Sequence, residues 1–226
     1  MTWNIPNILT VMRLFAAPCV ALIFMVLPRP MADWAALVIF VLAAVTDWFD
    51  GYLARKLNQQ TRFGAMLDPI ADKAMVIISI CVILALSGLD PWLTLPAVVI
   101  LFREVFVSGL REFLGSDASL LQVTKLAKWK TTAQMVAIPL LLLSLGLQEV
   151  HFWLYRSMDP ADYGALLAQG PQDWNATWRV VQGGWLSGLS GLVMFYVAAF
   201  LTGLTGLDYY RKSLRFLEDE AGDDAA

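Results

Sequence analysis

The amino-acid sequence predicts an all-α, polytopic membrane protein with six transmembrane helices and a short N-terminal interfacial segment. Of its 226 residues, 58% are hydrophobic and only 15% are charged, and the mean hydropathy is +0.62. A soluble domain of this size carries far more charge, so the composition excludes one. The apolar residues also fall into six stretches of about 20 residues, the length that an α-helix needs to cross a bilayer.

Breaks in the apolar pattern set the limits of the six predicted spans. The spans lie at about residues 8–27, 32–53, 63–86, 92–114, 126–147 and 185–207. Residues 2–7 form the interfacial lead-in, since their tryptophan suits the depth of the lipid headgroups. Pro28 and Pro30 end the first helix, because proline lacks a backbone N–H and clashes with the preceding turn. Polar and proline-containing turns at 58–61 and 87–91 separate the next spans.

We expect one membrane domain over residues 1–210, followed by a cytoplasmic acidic tail at 211–226. The connection 148–183 is long and mixes tyrosines and tryptophans with polar residues, which indicates interfacial helices on the extracytoplasmic side. Six spans place both termini on the same side of the membrane. Lysines and arginines concentrate on that side, and this bias predicts that it is the cytoplasm.

Four aspartates lie at regular spacings where span two ends and span three begins. Asp47 and Asp50 share one helical face, and Asp68 and Asp72 share another. Four carboxylates that face one another between apolar helices repel strongly and need protons, cationic partners or bound metal. Oxygen ligands of this kind suit Mg2+ or Mn2+, so we predict a divalent-metal site. Helix capping or surface ion pairing is the alternative. Neither of these roles requires the aspartates to share one face on each of two successive helices.

A pattern of fixed spacings surrounds these aspartates: Asp47-x2-Asp50-Gly51-x2-Ala54-Arg55-x8-Gly64-x3-Asp68-x3-Asp72. It resembles in full the signature of the CDP-alcohol phosphotransferases, integral membrane enzymes that make phospholipids from CDP-activated donors. The resemblance implies that two divalent ions bridge the pyrophosphate of the donor. It implies metal ligands at Asp47, Asp50, Asp68 and Asp72. It also implies that Asp72 is the catalytic residue that takes the proton from the attacking hydroxyl.

A predicted CDP site accompanies the metal site. Its candidate residues are Asn7, Thr10, Asp47, Gly51, Ala54, Arg55, Thr61 and Gly64. The family pattern assigns Gly51, Ala54 and Arg55 to this site, and arginine is well suited to bind a phosphate through two hydrogen bonds. Gly51 and Gly64 fit a close approach of cytidine or pyrophosphate, where a side chain would obstruct. Close packing of one helix on another explains these two glycines equally well.

Basic residues on span four and at the start of span five predict an anionic acceptor. The candidates for binding its phosphate are Arg103, Arg111, Lys125, Lys128 and Lys130. A neutral alcohol would not need such a cluster beside a metal site, although the lysines also suit simple anchoring at the cytoplasmic face. Three stretches, residues 4–18, 103–115 and 125–139, resemble bacterial members of the same family that use glycerol 3-phosphate.

The resemblance therefore implies an enzyme that transfers the phosphatidyl group from CDP-diacylglycerol to sn-glycerol 3-phosphate and releases CMP. We further expect a homodimer in the bacterial inner membrane, with the active site near the cytoplasmic face. Inositol phosphate or phosphatidylglycerol is an alternative acceptor for the same chemistry. A divalent-cation transporter is an alternative from another class, because intramembrane carboxylates also mark ion paths.

Overall fold

The computed structural model describes residues 4–56, 61–115, 125–172 and 177–223, and the side chains at 48, 50–55, 125–128 and 215–223 lie outside that description. Within these residues the chain forms seven α-helices, one short 3-10 helix and no strand. The helices are α1 (Ile5–Val26), α2 (Met31–Lys56), α3 (Arg62–Ser87), α4 (Pro91–Leu114), α5 (Lys125–Ser157), α6 (Pro160–Ala168) and α7 (Thr177–Asp223), and the 3-10 helix is Gly170–Gln172.

Five of the described helices have the length and apolar composition of membrane spans, with mean hydropathies of 1.6 to 2.2: α1, α3, α4, α5 and α7. The predicted all-α class is therefore confirmed, and the protein is a multi-pass membrane protein. The helix α2 has 26 residues. At a rise of about 1.5 Å per residue, that length suffices for a hydrocarbon core of about 30 Å. A role for α2 as the sixth span stays a prediction.

The helices extend beyond the predicted spans at several ends. The first helix begins at Ile5, where the side chain of Asn4 caps it by accepting a hydrogen bond from the backbone N–H of Asn7. Most of the described part of the predicted lead-in is therefore helical. The fifth helix continues to Ser157, because no proline or glycine interrupts residues 147–157. Together with the early start of α7, this leaves 158–176 between the two long helices, of which α6 occupies nine residues.

The centre of the bundle is a continuous apolar core. Fully buried side chains from six helices meet there, among them Val20, Phe40, Ile80, Ile100, Ile138 and Phe195. Large apolar side chains such as Phe15, Phe102 and Phe200 point outward instead. Lipid tails are as apolar as these side chains, so close packing and polar contacts hold the helices together in place of the hydrophobic effect.

Small residues allow α7 to approach α5 closely. A Cβ atom on Gly188 would lie 2.7 Å from Ser144 Oγ, and one on Gly191 would lie 3.1 Å from the Leu141 side chain. The Ser144 hydroxyl also donates a hydrogen bond of 2.8 Å to the carbonyl oxygen of Gly184. Such close contacts leave no room for one helix to slide along the other.

An ion-pair network connects the start of α2 to α5. Arg29 donates a hydrogen bond of 2.8 Å to the buried Asp33, and its guanidinium lies 3.0 Å from Glu149 of α5. The hydrogen bonds to Asp33 raise the pKa of Arg29 above its usual value. The network therefore holds α2 at its N-terminal end, while Asp47 and Asp50 of the predicted site lie in the second half of the same helix.

Candidate active site between α1, α2 and α3

Three of the four predicted aspartates come together beside α1, which packs against both α2 and α3. Asp47 lies on α2, and Asp68 and Asp72 lie one turn apart on α3. One carboxylate oxygen from each residue lies within 4.8 Å of the others. The side chain of Asp50, the fourth predicted ligand, lies outside the described part of the chain.

A buried arginine from α1 completes this group. The side chain of Arg13 is only 2% exposed. Its Nη1 donates hydrogen bonds to Asp47 Oδ1 and to Asp72 Oδ1, and it lies 3.4 Å from Asp68 Oδ1. Arg13 is the one charged residue within residues 8–27. A charge at such a position is unusual in hydrocarbon and often marks a functional site, but the sequence alone does not identify its partners.

The group has the charge and the donor atoms that a divalent cation needs. One guanidinium offsets only one of the three carboxylates, so the group favours further positive charge. The ligands are all oxygens, as Mg2+ and Mn2+ prefer. Asp47 and Asp72 are each 33% exposed and Asp68 is 48% exposed. Water and substrate oxygens therefore have access to the same place, and Mg2+ commonly keeps such ligands. The residues fit a metal centre.

The predicted CDP residues at the start of α1 and α3 form a contact between these two helices. Thr61 caps α3 by accepting a hydrogen bond of 3.0 Å from the backbone N–H of Gly64. Its hydroxyl donates a hydrogen bond of 2.8 Å to Oδ1 of the buried Asn7. Thr10, also buried, donates to the carbonyl oxygen of Pro6 at 3.1 Å.

Gly64 lies against α1 with no room for a side chain. A Cβ atom there would lie 2.6 Å from Asn7 Oδ1 and 3.3 Å from Thr61 Oγ1. Of the two interpretations of this glycine, helix packing therefore has direct structural support. A role for Gly64 in CDP binding stays a prediction. The side chains of Ala54 and Arg55, and any contact made by Gly51, lie outside the described part.

Replacing Gly64 with alanine is expected to disrupt this contact. The added methyl group would displace the Asn7 side chain and break its hydrogen bond with Thr61. We expect a loss of about 1–3 kcal/mol in the free energy of unfolding, as for other overpacked sites. Thermal unfolding in detergent measures it. Gly109→Ala on α4 is the matched control, since its Cβ would meet nothing within 4 Å. Equal midpoints for the two variants would contradict the assignment.

A second polar cluster lies next to the aspartates, on α3, α4 and α5. Lys73, which follows Asp72 in the sequence, donates a hydrogen bond of 2.6 Å to Ser108 Oγ. Lys130 donates a hydrogen bond to Glu104 Oε1, and Arg103 Nη1 lies 3.4 Å from the same oxygen. Two cations thus share one carboxylate, and the cluster keeps an excess of positive charge. The sequence had not singled out Lys73, although its neighbour Asp72 was a signal.

The two predicted arginines of α4 meet one aromatic ring on α7. Arg103 and Arg111 are eight residues apart and therefore lie on roughly the same face of α4. Arg111 donates a hydrogen bond of 2.8 Å to the hydroxyl of Tyr209, a residue that the sequence had not indicated. The side chains of Lys125 and Lys128, the other two acceptor candidates, lie outside the described part of the chain.

The chain is similar to one known protein family and to several known proteins. The family model for CDP-alcohol phosphatidyltransferase matches residues 3–158, which include every predicted site residue. The chain is 55% identical to a CDP-diacylglycerol–glycerol-3-phosphate 3-phosphatidyltransferase of Cereibacter sphaeroides, over 97% of this chain and 100% of the relative. Proteins of the same name from Escherichia coli strain K12 and Shigella flexneri serotype 5b are each 47% identical over 144 residues, 63% of this chain and 78% of each relative.

Proposed function

Since the chain belongs to the CDP-alcohol phosphatidyltransferase family, we propose that it transfers the phosphatidyl group of CDP-diacylglycerol to sn-glycerol 3-phosphate. The products are phosphatidylglycerophosphate and CMP. The observation that carries the proposal is the group of Asp47, Asp68 and Asp72 next to a cluster with excess positive charge. The relative from Cereibacter sphaeroides, similar over nearly the whole chain, has a name that states this donor and this acceptor.

The aspartates would hold the divalent ions, Mg2+ or Mn2+. Enzymes of this family generally use divalent metals, and the proposed ligands are Asp47, Asp50, Asp68 and Asp72. Two bound ions would stabilise the negative charge that develops on the pyrophosphate and on the leaving CMP. The metal-ligand roles rest on the oxygen donor set and on the charge of the group described above.

Asp72 is the proposed base. The acceptor hydroxyl loses its proton to Asp72, its oxygen forms a bond to the phosphorus of the phosphatidyl group, and the bond from that phosphorus to CMP breaks. Arg13 donates to Oδ1 of Asp72, which leaves Oδ2 as the oxygen that accepts the proton. The same hydrogen bond fixes the direction of the carboxylate, so that the base meets the hydroxyl in one orientation.

The donor and the acceptor would occupy opposite sides of the aspartates. We propose that Gly51, Ala54 and Arg55 bind CDP. The other candidates form the side of the CDP site between α1 and α3: Asn7, Thr10, Thr61 and Gly64. We assign the acceptor phosphate to the basic residues Arg103, Arg111, Lys125, Lys128 and Lys130. Lys73 supports this division, because its hydrogen bond to Ser108 connects the aspartate helix to the helix of both arginines.

The proposed setting is the inner membrane of a bacterium, with α2 as the sixth span and the site near the cytoplasmic face. Residues 1–210 would form the membrane domain and 211–226 a cytoplasmic tail, although α7 continues as a helix to Asp223. A homodimer is the proposed assembly. The exposed apolar surface of the helices suits lipid contact and a partner subunit alike.

A release assay tests the proposed function. Purified protein in lipid is supplied with CDP-diacylglycerol, a divalent metal and one acceptor at a time: glycerol 3-phosphate, inositol phosphate, phosphatidylglycerol or serine. We expect metal-dependent CMP release with glycerol 3-phosphate and little with the others. Release only with another acceptor would overturn the acceptor assignment. Metal flux into proteoliposomes without CMP release would favour the transporter instead.

A further inference from the structure

We propose that Tyr209 of α7 is a positioning residue, which holds the guanidinium groups of Arg103 and Arg111 in a fixed arrangement for the acceptor phosphate. This inference rests on the proposed function, because it concerns the same acceptor site. It adds a residue from a helix that lies outside the stretch matched by the family, residues 3–158.

The geometry around the Tyr209 ring carries the inference. The Cζ atom of Arg103 lies 5.6 Å from the ring centroid, and the Cζ atom of Arg111 lies 5.2 Å from it. Both distances are within the range of a cation–π contact. The hydroxyl of Tyr209 accepts the hydrogen bond from Arg111 Nη2, and the tyrosine itself is 2% exposed. One buried side chain thus contacts both guanidinium groups.

Two neighbouring arginines need such a partner. Their like charges repel, and each long side chain has many rotamers that would separate the two groups. The negative face of an aromatic ring offsets part of the repulsion, and the hydroxyl fixes the orientation of Arg111. Glu104 partly neutralises Arg103, but it also binds Lys130. Among the described side chains, the ring of Tyr209 is therefore a contact that the two arginines share.

The neighbouring turn of α7 fits the same arrangement. Gly206 lies three residues before Tyr209 and faces the same way. A Cβ atom on Gly206 would lie 3.0 Å from Cγ of Arg103, so the absence of a side chain gives space to the stem of that arginine. The helix α7 thus leaves space for the aliphatic part of the Arg103 side chain at Gly206, and it contacts the guanidinium groups of both arginines through Tyr209.

A positioning role has a kinetic signature that plain packing lacks. Tyr209 would act through the arginines on the bound acceptor, and it would touch neither CDP-diacylglycerol nor the reacting phosphorus. Its loss should therefore raise the KM for glycerol 3-phosphate, while kcat and the KM for CDP-diacylglycerol change little. A residue that only packs α7 against α4 would lower the amount of folded protein, or alter all three constants together.

Two variants and one control make the test. Tyr209→Phe keeps the ring and removes the hydroxyl, and we expect the KM for glycerol 3-phosphate to rise about 10-fold, as for loss of a hydrogen bond to a charged group. Tyr209→Leu also removes the ring, and the rise should reach about 50-fold. Tyr210→Phe is the matched control, because Tyr210 is 44% exposed and its ring lies 6.0 Å from Phe106; its constants should equal those of the wild type.

The outcomes separate this inference from the proposed function. No wild-type turnover with glycerol 3-phosphate would overturn the proposed function. Normal wild-type turnover with an unchanged KM for glycerol 3-phosphate in Tyr209→Phe would overturn the positioning role alone. An equal rise in the KM for both substrates would overturn it too. Phenylalanine preserves the shape of the buried ring. Tyr209→Phe therefore tests the positioning role even if Tyr209→Leu does not fold.

Discussion

Alanine at Asp47, Asp50 or Asp68 is expected to reduce CMP release by at least about 10³-fold. As proposed, each of these carboxylates would help to hold the divalent ions, and charge stabilisation by such ions is usually the largest part of this kind of catalysis. The helices should remain folded, since Asp47 and Asp68 are partly exposed and belong to a cluster of like charges. Steady-state CMP release measures the first effect, and circular dichroism in detergent checks the second.

Asp72→Asn tests the role of the base separately. Asparagine preserves the size of the side chain and can still accept a hydrogen bond from Arg13, but it cannot take a proton from the acceptor. We expect this variant to bind CDP-diacylglycerol and to release almost no CMP. Asp90→Asn is a suitable control, because Asp90 caps α4 and asparagine caps helices equally well. Normal CMP release by any variant of the four site aspartates would contradict the site.

Arg13→Gln is expected chiefly to lower the free energy of unfolding. The glutamine leaves Asp47, Asp68 and Asp72 without their buried cation, so the carboxylates repel one another. Because the carboxylates are a third to a half exposed, we expect a loss of about 1–3 kcal/mol in the free energy of unfolding, below the cost at a fully buried site. The thermal midpoint in EDTA measures it.

A divalent cation should compensate for the missing arginine. At the proposed metal site Mn2+ would bind the folded carboxylate group, and it would supply the positive charge that Arg13→Gln lacks. We expect Mn2+ to raise the thermal midpoint more in this variant than in the wild type. Arg62→Gln is the control, since Arg62 lies exposed in the first turn of α3. An equal rise in all three proteins would show that Arg13 and the cation do not act on the same carboxylates.

Local patterns in the sequence were enough to predict the helices and the aspartate pairs. Hydropathy and helical periodicity depend on neighbouring residues, so they located each long helix and placed Asp68 and Asp72 on one face. The length of α5 was harder, because residues 148–157 are polar enough to leave the membrane and yet contain nothing that ends a helix. Hydropathy reports where a span leaves the apolar layer, and a helix ends only where its hydrogen bonds end.

The partners of the charged residues could not be predicted in the same way. Arg13 meets carboxylates that are 34 and 59 residues away, and Arg111 meets a hydroxyl 98 residues away. Such contacts depend on how whole helices pack, and one sequence does not encode that packing in any local pattern. This is why Tyr209 was missed, although it touches both arginines that the basic pattern had indicated.

The close contact of α7 with α5 has a consequence for the far end of α7. Gly188 and Tyr209 are 21 residues apart on one continuous helix, which corresponds to about 31 Å along its axis. A slip of one residue at the glycines would turn Tyr209 by about 100° around that axis and carry its ring away from both guanidinium groups. The close packing at the glycines therefore fixes the rotation of α7 about its own axis. In this way it also sets the direction in which the ring of Tyr209 points, about 31 Å away along the helix.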